Sequence, residues 1–393
     1  MTSPAKYYHS DVKKFLNEIT KKESNYIILD NSLAFEEDIQ KYLNKISKNV
    51  KDTTRIVVIS FNFLWKPILN LAAYLKLREK DIREPNWLTK TDMKNIFYLE
   101  GFEEIKSGSR FILPLDLGIL SEFINIFLAQ LPIINKFCLT NYQIFRKLPK
   151  IKDYSVSIII PARNEEGNIK GILKKIPKIG TKTEVIFVEG WSKDDTYKMI
   201  QKEIEKDKPK WLSTYLYKQK GKGKKDAVSL GFSKASNELL MILDADLTVP
   251  ASDLNKFYQS ISSGKAEIAN GIRLVYPIEK EAMQTLNYIG NKIFSVIFTY
   301  LLGQPIKDTL CGTKALLKTN YLKIRKINKN LGNFDPFGDF DLLFGASRLN
   351  LRIIDIPVRY RERKYGRTNI SRFKNGVELA KMTYLAARKI KFI

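Results

Sequence analysis

At 393 residues the chain is long enough for two domains, each burying its own core. Lys and Arg number 67 against 42 acids, a net charge of +25, so a polyanionic partner or surface is expected. Two cysteines and one histidine, His9 near the terminus, exclude a metal framework, a disulfide scaffold and any mechanism built on histidine. In chain order, Tyr26–Asp30 and Arg55–Ile59 read as strands, with helical patterns near Glu36–Ile46 and Leu64–Leu75. Asn86-Trp87-Leu88-Thr89-Lys90-Thr91-Asp92-Met93 opens another helix, capped by Thr89 or Thr91. It ends near Gly101, where Phe102-Glu103-Glu104-Ile105 begins a strand.

Residues 26–113 resemble the C-terminal half of a class I S-adenosylmethionine-dependent methyltransferase, on the Asn-Trp-Leu-Thr…Leu-Glu-Gly-Phe-Glu-Glu-Ile run. The cofactor loop of such enzymes is a glycine-rich turn, because backbone must approach the ligand closely. No glycine occurs between Met1 and Gly101. Residues 1–146 are therefore expected to be a degenerate, non-catalytic α/β domain. The basic stretch 147–153 reads as a linker and 154–393 as a second domain.

The apolar runs Phe123–Asn135 and Ile293–Ile306 fall short of the roughly 18–20 residues of a membrane span. Lys136, Lys292 and Lys307 flank them. That pattern fits a helix lying in the headgroup plane and equally a buried core helix. The N-terminus lacks an apolar signal core, so a cytoplasmic protein, peripheral on the inner face of the membrane, is expected. No recognition-helix, zinc-finger or aromatic RNA-binding pattern accompanies the charge, which favours an anionic membrane surface over nucleic acid.

From 155 to 262 strand, polar turn and helix alternate three times, the pattern of an α/β sheet with ligand groups at its carboxyl ends. Val156–Ile160 is the first strand. Pro161, lacking an N–H, should stop its ladder, and Asn164 should cap a helix whose first turn holds Glu165 and Glu166. Strand Glu184–Val188 runs into Glu189-Gly190-Trp191-Ser192-Lys193-Asp194-Asp195-Thr196. The apolar run Leu239–Leu243 ends at Asp244-Ala245-Asp246. On an extended chain these two acids share a face, about 7 Å apart. Oxygen-only ligation suits Mg²⁺ or Mn²⁺ shared with a diphosphate.

Residues 154 to about 382 resemble a family 2 glycosyltransferase of the nucleotide-sugar-binding GT-A fold, most closely its polyprenyl-phosphate (dolichol-phosphate) branch. The resemblance rests on short pieces in order: 161–165, 188–196, Gly-Lys-Gly at 221–223, Asp-Ala-Asp-Leu at 244–247, 307–314, Gly-Asp-Phe-Asp at 338–341 and 362–370. It implies a GT-A-type mixed sheet with helices on both faces and an inverting, metal-dependent transfer from a nucleotide-diphosphate sugar to a polyprenyl phosphate, as in cell-envelope glycan synthesis. Asp244 and Asp246 would hold the metal, with Asp246 catalytic. Pro161, Ala162, Asn164, Glu165, Glu189, Lys222 and Asp226 would contact the donor, beside Lys224 and Lys225. Arg273, Asn291 or Lys292, Ser295 and Arg363 would hold the acceptor phosphate, with Lys364 and Arg367 flanking. Two departures stand out: Glu189-Gly190 replaces the usual two aspartates, and Lys225 replaces the usual glycine before Asp226.

A lipid phosphate is already anionic and needs no general base, whereas an alcohol does. Were the acceptor a hydroxyl of a glycan or glycolipid, Asp341 would be the catalytic base. A non-catalytic basic adaptor for membrane or nucleic acid is the reading from another class, and the intact acids argue against it.

Overall fold

The computed structural model describes residues 25–79, 84–206, 208–277, 285–328, 338–363, 365–366 and 372–392. His9, Lys364 and Arg367 lie outside the described residues. The chain divides into two compact units, Met1–Pro149 with Lys391–Ile393, and Lys150–Ile390.

The first unit is built on a four-stranded sheet, β1 (Tyr26–Asp30), β2 (Arg55–Phe61), β3 (Phe102–Arg110) and β4 (Thr140–Lys147), in the order β1-β2-β4-β3. β1 and β2 are parallel, and β4 runs antiparallel to β2 and β3. The expected linker at 147 thus begins on the last residue of a strand. Helices α1 (Ile39–Asn49), α2 (Lys66–Tyr74), α3 (Lys90–Leu99) and α4 (Ile119–Ile126) fill the connections. Thr89, of the two candidate caps, forms the capping box with Asp92 that starts α3. The core gathers Leu43 and Ile46 of α1 and Phe97 of α3 with Ile56, Phe102 and Phe145, and Phe97 stacks on Phe145 at 3.9 Å.

The second unit carries a seven-stranded mixed sheet. Its strands are β5 (Val156–Ala162), β6 (Thr183–Glu189), β7 (Ser213–Lys218), β8 (Leu239–Ile242), β9 (Ile268–Ile272), β10 (Lys314–Leu317) and β11 (Ile353–Pro357), in the order β11-β9-β10-β8-β5-β6-β7. β10 alone runs antiparallel to its neighbours. Every residue of β6, β8 and β9 is buried, which explains the apolar runs in β6 and β8 and requires cover on both faces. The connections hold α5 (Glu166–Ile169), α6 (Ile172–Lys175), α7 (Thr196–Lys206), α8 (Lys224–Lys234) and α9 (Leu254–Ser262). They continue with α10 (Thr285–Leu302), α11 (Lys318–Asn328), α12 (Asp339–Arg348) and α13 (Arg372–Ala386). Gly231 lets α8 lie directly on β5, since a Cβ there would stand 2.5 Å from Ile159.

Pro161 does not stop its strand. β5 continues to Ala162, paired with β6 through Glu189, whereas pairing with β8 ends at Ile159. Beyond that point β5 is laddered on one side only, where a missing N–H is tolerated. No described helix is long and apolar enough to cross a membrane.

Candidate active site

The turns after β5 and β6 meet at the carboxyl edge of the sheet, where open α/β sheets bind ligands. Asn164 is not the helix cap expected. It adopts a left-handed conformation (φ 55°), and Glu165 takes the N-cap position of a helix only four residues long. Asn164 instead laces the two turns together. Its backbone N–H donates to Ser192 Oγ (3.0 Å) and its Oδ1 accepts from Lys193 N (2.8 Å). Glu165 N donates to Thr196 Oγ1 (2.9 Å), while Glu189 Oε1 accepts from Ser192 N (2.5 Å). Glu189 is therefore buried and bound to its own turn, and the Ala162 carbonyl accepts from Gly190 N (2.9 Å). A longer acid at 189 is well suited to this reach around the turn.

Asp244 and Asp246 are not on an extended strand as expected. β8 ends at Ile242, and Leu247 N donates to Asp244 O (3.1 Å), closing a turn through a left-handed Leu247 (φ 50°). Each carboxylate of the turn has its own cation. Lys224, at the start of α8, lies 2.5 Å from Asp244 Oδ1. Arg363 reaches Asp246 Oδ2 at 2.6 Å and Glu165 Oε1 at 3.2 Å. Asp246 Oδ1 also accepts from the N–H and hydroxyl of Thr248, so the carboxylate is held in place by its own turn.

Burial works against the charge on Lys224, yet the Asp244, Asp339 and Asp246 carboxylates hold its ammonium above the usual lysine range. For Asp244 burial is likewise outweighed, chiefly by Lys224, and its carboxyl sits below the ordinary value. Glu165 goes the other way. Burial lifts its carboxyl above the usual range, against the opposing pull of Asn168 and Arg363. Gly312 comes so near that a Cβ would collide with Lys224 Nζ and stand 2.5 Å from Asp244 Oδ2.

Lys222 is exposed, so the glycine-bounded loop contributes Lys224 and Lys225 to the acids instead. Asp226 folds back to accept from Gly221 N (3.0 Å) and so shapes the loop. Lys225 pairs with Asp341 at 2.6 Å, and fully buried Lys314 pairs with Asp339 at 3.1 Å.

The expected acceptor cations divide into two groups. Arg363 is at the acids, but Arg273 is turned to Asp308, with Nε and Nη2 at 2.7 and 2.9 Å from its two oxygens. Asn291, buried, donates to the same carboxylate (2.9 Å), and of the two helix candidates it is the one turned inward. Lys292 is exposed, over the ring of Tyr288. Ser295 donates to Lys292 O (3.0 Å) on its own helix. Burial raises Asp308, but Arg273 and Asn291 overcome it and hold the carboxyl at about 2. Sequence reasoning gives Asp308, Gly312 and Lys314 no individual role. The available signal is their place in the run 307–314, where an acid and a lysine among apolar residues each require a buried partner.

Among the described residues no three His, Cys, Asp or Glu side chains lie within reach of one metal ion. Two carboxylates from one turn nevertheless fit a hard cation that is completed by waters and substrate phosphates rather than by a protein cage.

Residues 157–324 match the model of glycosyl transferase family 2. The chain carries a family 2 glycosyltransferase domain. Its mixed sheet is the GT-A-type architecture expected of one. The match spans the site residues from Pro161 to Lys314, and Asp341 and Arg363 follow it within the same unit of this glycosyltransferase.

Relatives of the domain include the dolichyl-phosphate hexose transferase of Haloferax volcanii, 26% identical over 58% of this chain and 91% of that protein. The UDP-N-acetylglucosamine–dolichyl-phosphate N-acetylglucosaminyltransferase of Methanococcus voltae is 26% identical over 56% of this chain and 91% of its own length. Among solved structures, glucosyl-3-phosphoglycerate synthase of Mycobacterium tuberculosis is 15% identical, with a TM-score of 0.45, over 60% of this chain and 80% of that one.

Proposed function

We propose that this glycosyltransferase moves a sugar, with inversion, from a nucleotide-diphosphate donor to a polyprenyl phosphate at the inner face of the membrane. The observation that carries the reading is the matched charge at the sheet edge. Two carboxylates of one turn, Asp244 and Asp246, are each held by a cation from a different segment, Lys224 and Arg363. A diphosphate and a lipid phosphate can take up those cations, leaving the carboxylates for Mg²⁺ or Mn²⁺. Asp244 and Asp246 would hold a divalent cation, which would offset charge on the departing nucleoside diphosphate.

The chain's own residues do the rest. Asn164, Glu165 and the turn after β6 form the floor for the nucleotide, with Pro161 and Ala162 at the end of β5 beneath it. Lys224 and Lys225 stand at the diphosphate, and Arg363 orients the acceptor phosphate. Asp341 is engaged by Lys225, which suits an acceptor that has no proton to give up. The relatives, which carry dolichyl phosphate in their names, support this choice of acceptor. Residues 1–146 are proposed to be a non-catalytic unit resembling part of a methyltransferase.

The test is purified protein with Mg²⁺ or Mn²⁺, a panel of sugar nucleotides and a prenyl phosphate. Release of nucleoside diphosphate that depends on the prenyl phosphate supports the reading, and release only with a glycan or glycolipid acceptor overturns it.

A further inference from the structure

We propose that the first unit docks on an anionic bilayer through α2 and the segment 111–137. This deepens the lipid-acceptor reading and rests on it for its purpose, which is to keep the enzyme at the surface where its acceptor resides. Both segments leave the sheet at one end. β2 finishes at Phe61 and β3 at Arg110, and both residues are paired with Thr140, the first residue of β4. Hydrogen bonds then fasten the segments together: Trp65 Nε1 donates to Phe137 O (2.8 Å), and Asn62 Nδ2 donates to Lys136 O and Cys138 O (both 2.9 Å).

What these segments display is apolar. α2 has no buried residue, and α4 buries only Ser121. Ile68, Leu71 and Tyr74 on α2 are 53%, 57% and 84% exposed, while Ile119, Phe123 and Phe127 are 85%, 52% and 47% exposed. The spacing 119, 123, 127 places three large side chains on one helical stripe. Helices this short gain little stability on their own in water and normally rely on packing an apolar face. Neither is packed that way against the core of its unit.

The charges choose the occupant. Residues 62–78 contain Lys66, Lys76 and Arg78 and no acid, with Lys66 drawn to Glu84 beyond them at 3.2 Å and Glu79 following Arg78. The second segment holds Lys136 with Asp116 and Glu122, and Asp116 is turned back to accept from Gly118 N (3.0 Å). Apolar side chains with cations beside them suit the boundary between acyl chains and anionic headgroups. The aliphatic side chains offer no directional hydrogen bonds of the kind that specify a protein partner.

The test uses the full chain with vesicles of phosphatidylcholine, with and without phosphatidylglycerol. Hydrogen exchange should slow at 66–74 and 119–126 when the anionic vesicles are added. The pairs Leu71→Glu with Tyr74→Glu, and Ile119→Glu with Phe123→Glu, should each weaken vesicle binding roughly 10-fold or more. Transfer to a short, water-soluble prenyl phosphate should be unchanged in both, which separates this inference from the reading of the reaction. Protection confined to 285–302, or vesicle binding unaffected by either pair, overturns the proposal even where transfer is normal. A dimer that both pairs dissociate while vesicle binding persists overturns it too, and makes the face an interface between copies.

Discussion

Arg363 Nη2 lies 2.6 Å from Asp246 Oδ2, across 117 residues of sequence. The two side chains belong to opposite halves of the proposed reaction, Asp246 to the donor and Arg363 to the acceptor. Burial opposes the charge on Arg363, but Asp246 and Glu165 hold its guanidinium above the usual range. On the proposed roles each ligand would displace a strong internal partner, and binding of one would free the side chain that receives the other.

Asp246→Asn tests the donor side. Asparagine keeps an oxygen for Thr248 and Glu165 stays paired with Arg363, so the turn should survive, with a modest drop in melting temperature from the lost Asp246–Arg363 ion pair. Turnover should fall roughly 10²–10³-fold or more, because the hold on the cation that would offset the leaving group's charge is weakened. Chelator should do the same to the unaltered enzyme. Nucleoside diphosphate release at full rate in excess chelator would remove the metal from the mechanism.

Arg273→Ala should act on stability rather than on acceptor use. It strands the fully buried Asp308 carboxylate, and breaking such a pair costs about 3–5 kcal/mol. The pH dependence has a definite sign. Asp308 has a folded-state value of about 2, below that of an unfolded aspartate, so its contribution is present above about pH 4 and disappears as pH falls towards 2. The loss amounts to about 2 kcal/mol. Denaturant melts across that window should show it in the parent and not in Asp308→Asn.

The buried strands are legible in the sequence because both faces are covered: Val156–Ile160 and Leu239–Leu243 run with almost no polar alternation. The acids at the sheet edge are legible for the same reason, as charge appears abruptly where the apolar run ends. Local conformation is less so. Asn164 has the composition of a helix cap, yet its left-handed backbone accompanies bonds to Ser192 and Lys193, in a turn 28 residues away. Arg273 reads from the sequence as a cation for the acceptor phosphate because its partner in the fold, Asp308, is 35 residues distant. Only the folded sheet brings the two together.

The first unit should not bind S-adenosylmethionine. A shallow depression lies where β1 and β2 end, lined by Asn31, Phe61, Asn86 and Trp87 among others. No glycine precedes Gly101 to let backbone approach a cofactor there. Calorimetry with the full chain should register no heat of binding, and micromolar affinity would restore a methyltransferase reading.

Arg363→Ala and Asp341→Asn together decide the acceptor. Removing one partner of a buried, hydrogen-bonded charge pair costs about 2–5 kcal/mol. Arg363→Ala should therefore reduce use of prenyl phosphate by roughly 30-fold or more, with a smaller effect on the donor requirement. Asp341→Asn forfeits its ion pair with Lys225 but should retain measurable transfer, since an ionised phosphate has no proton to remove. Steady-state rates against acceptor concentration at fixed donor give both answers. A dead Asp341→Asn, a bell-shaped pH profile in the parent and normal acceptor use by Arg363→Ala would together assign a hydroxyl acceptor, with Asp341 as its base.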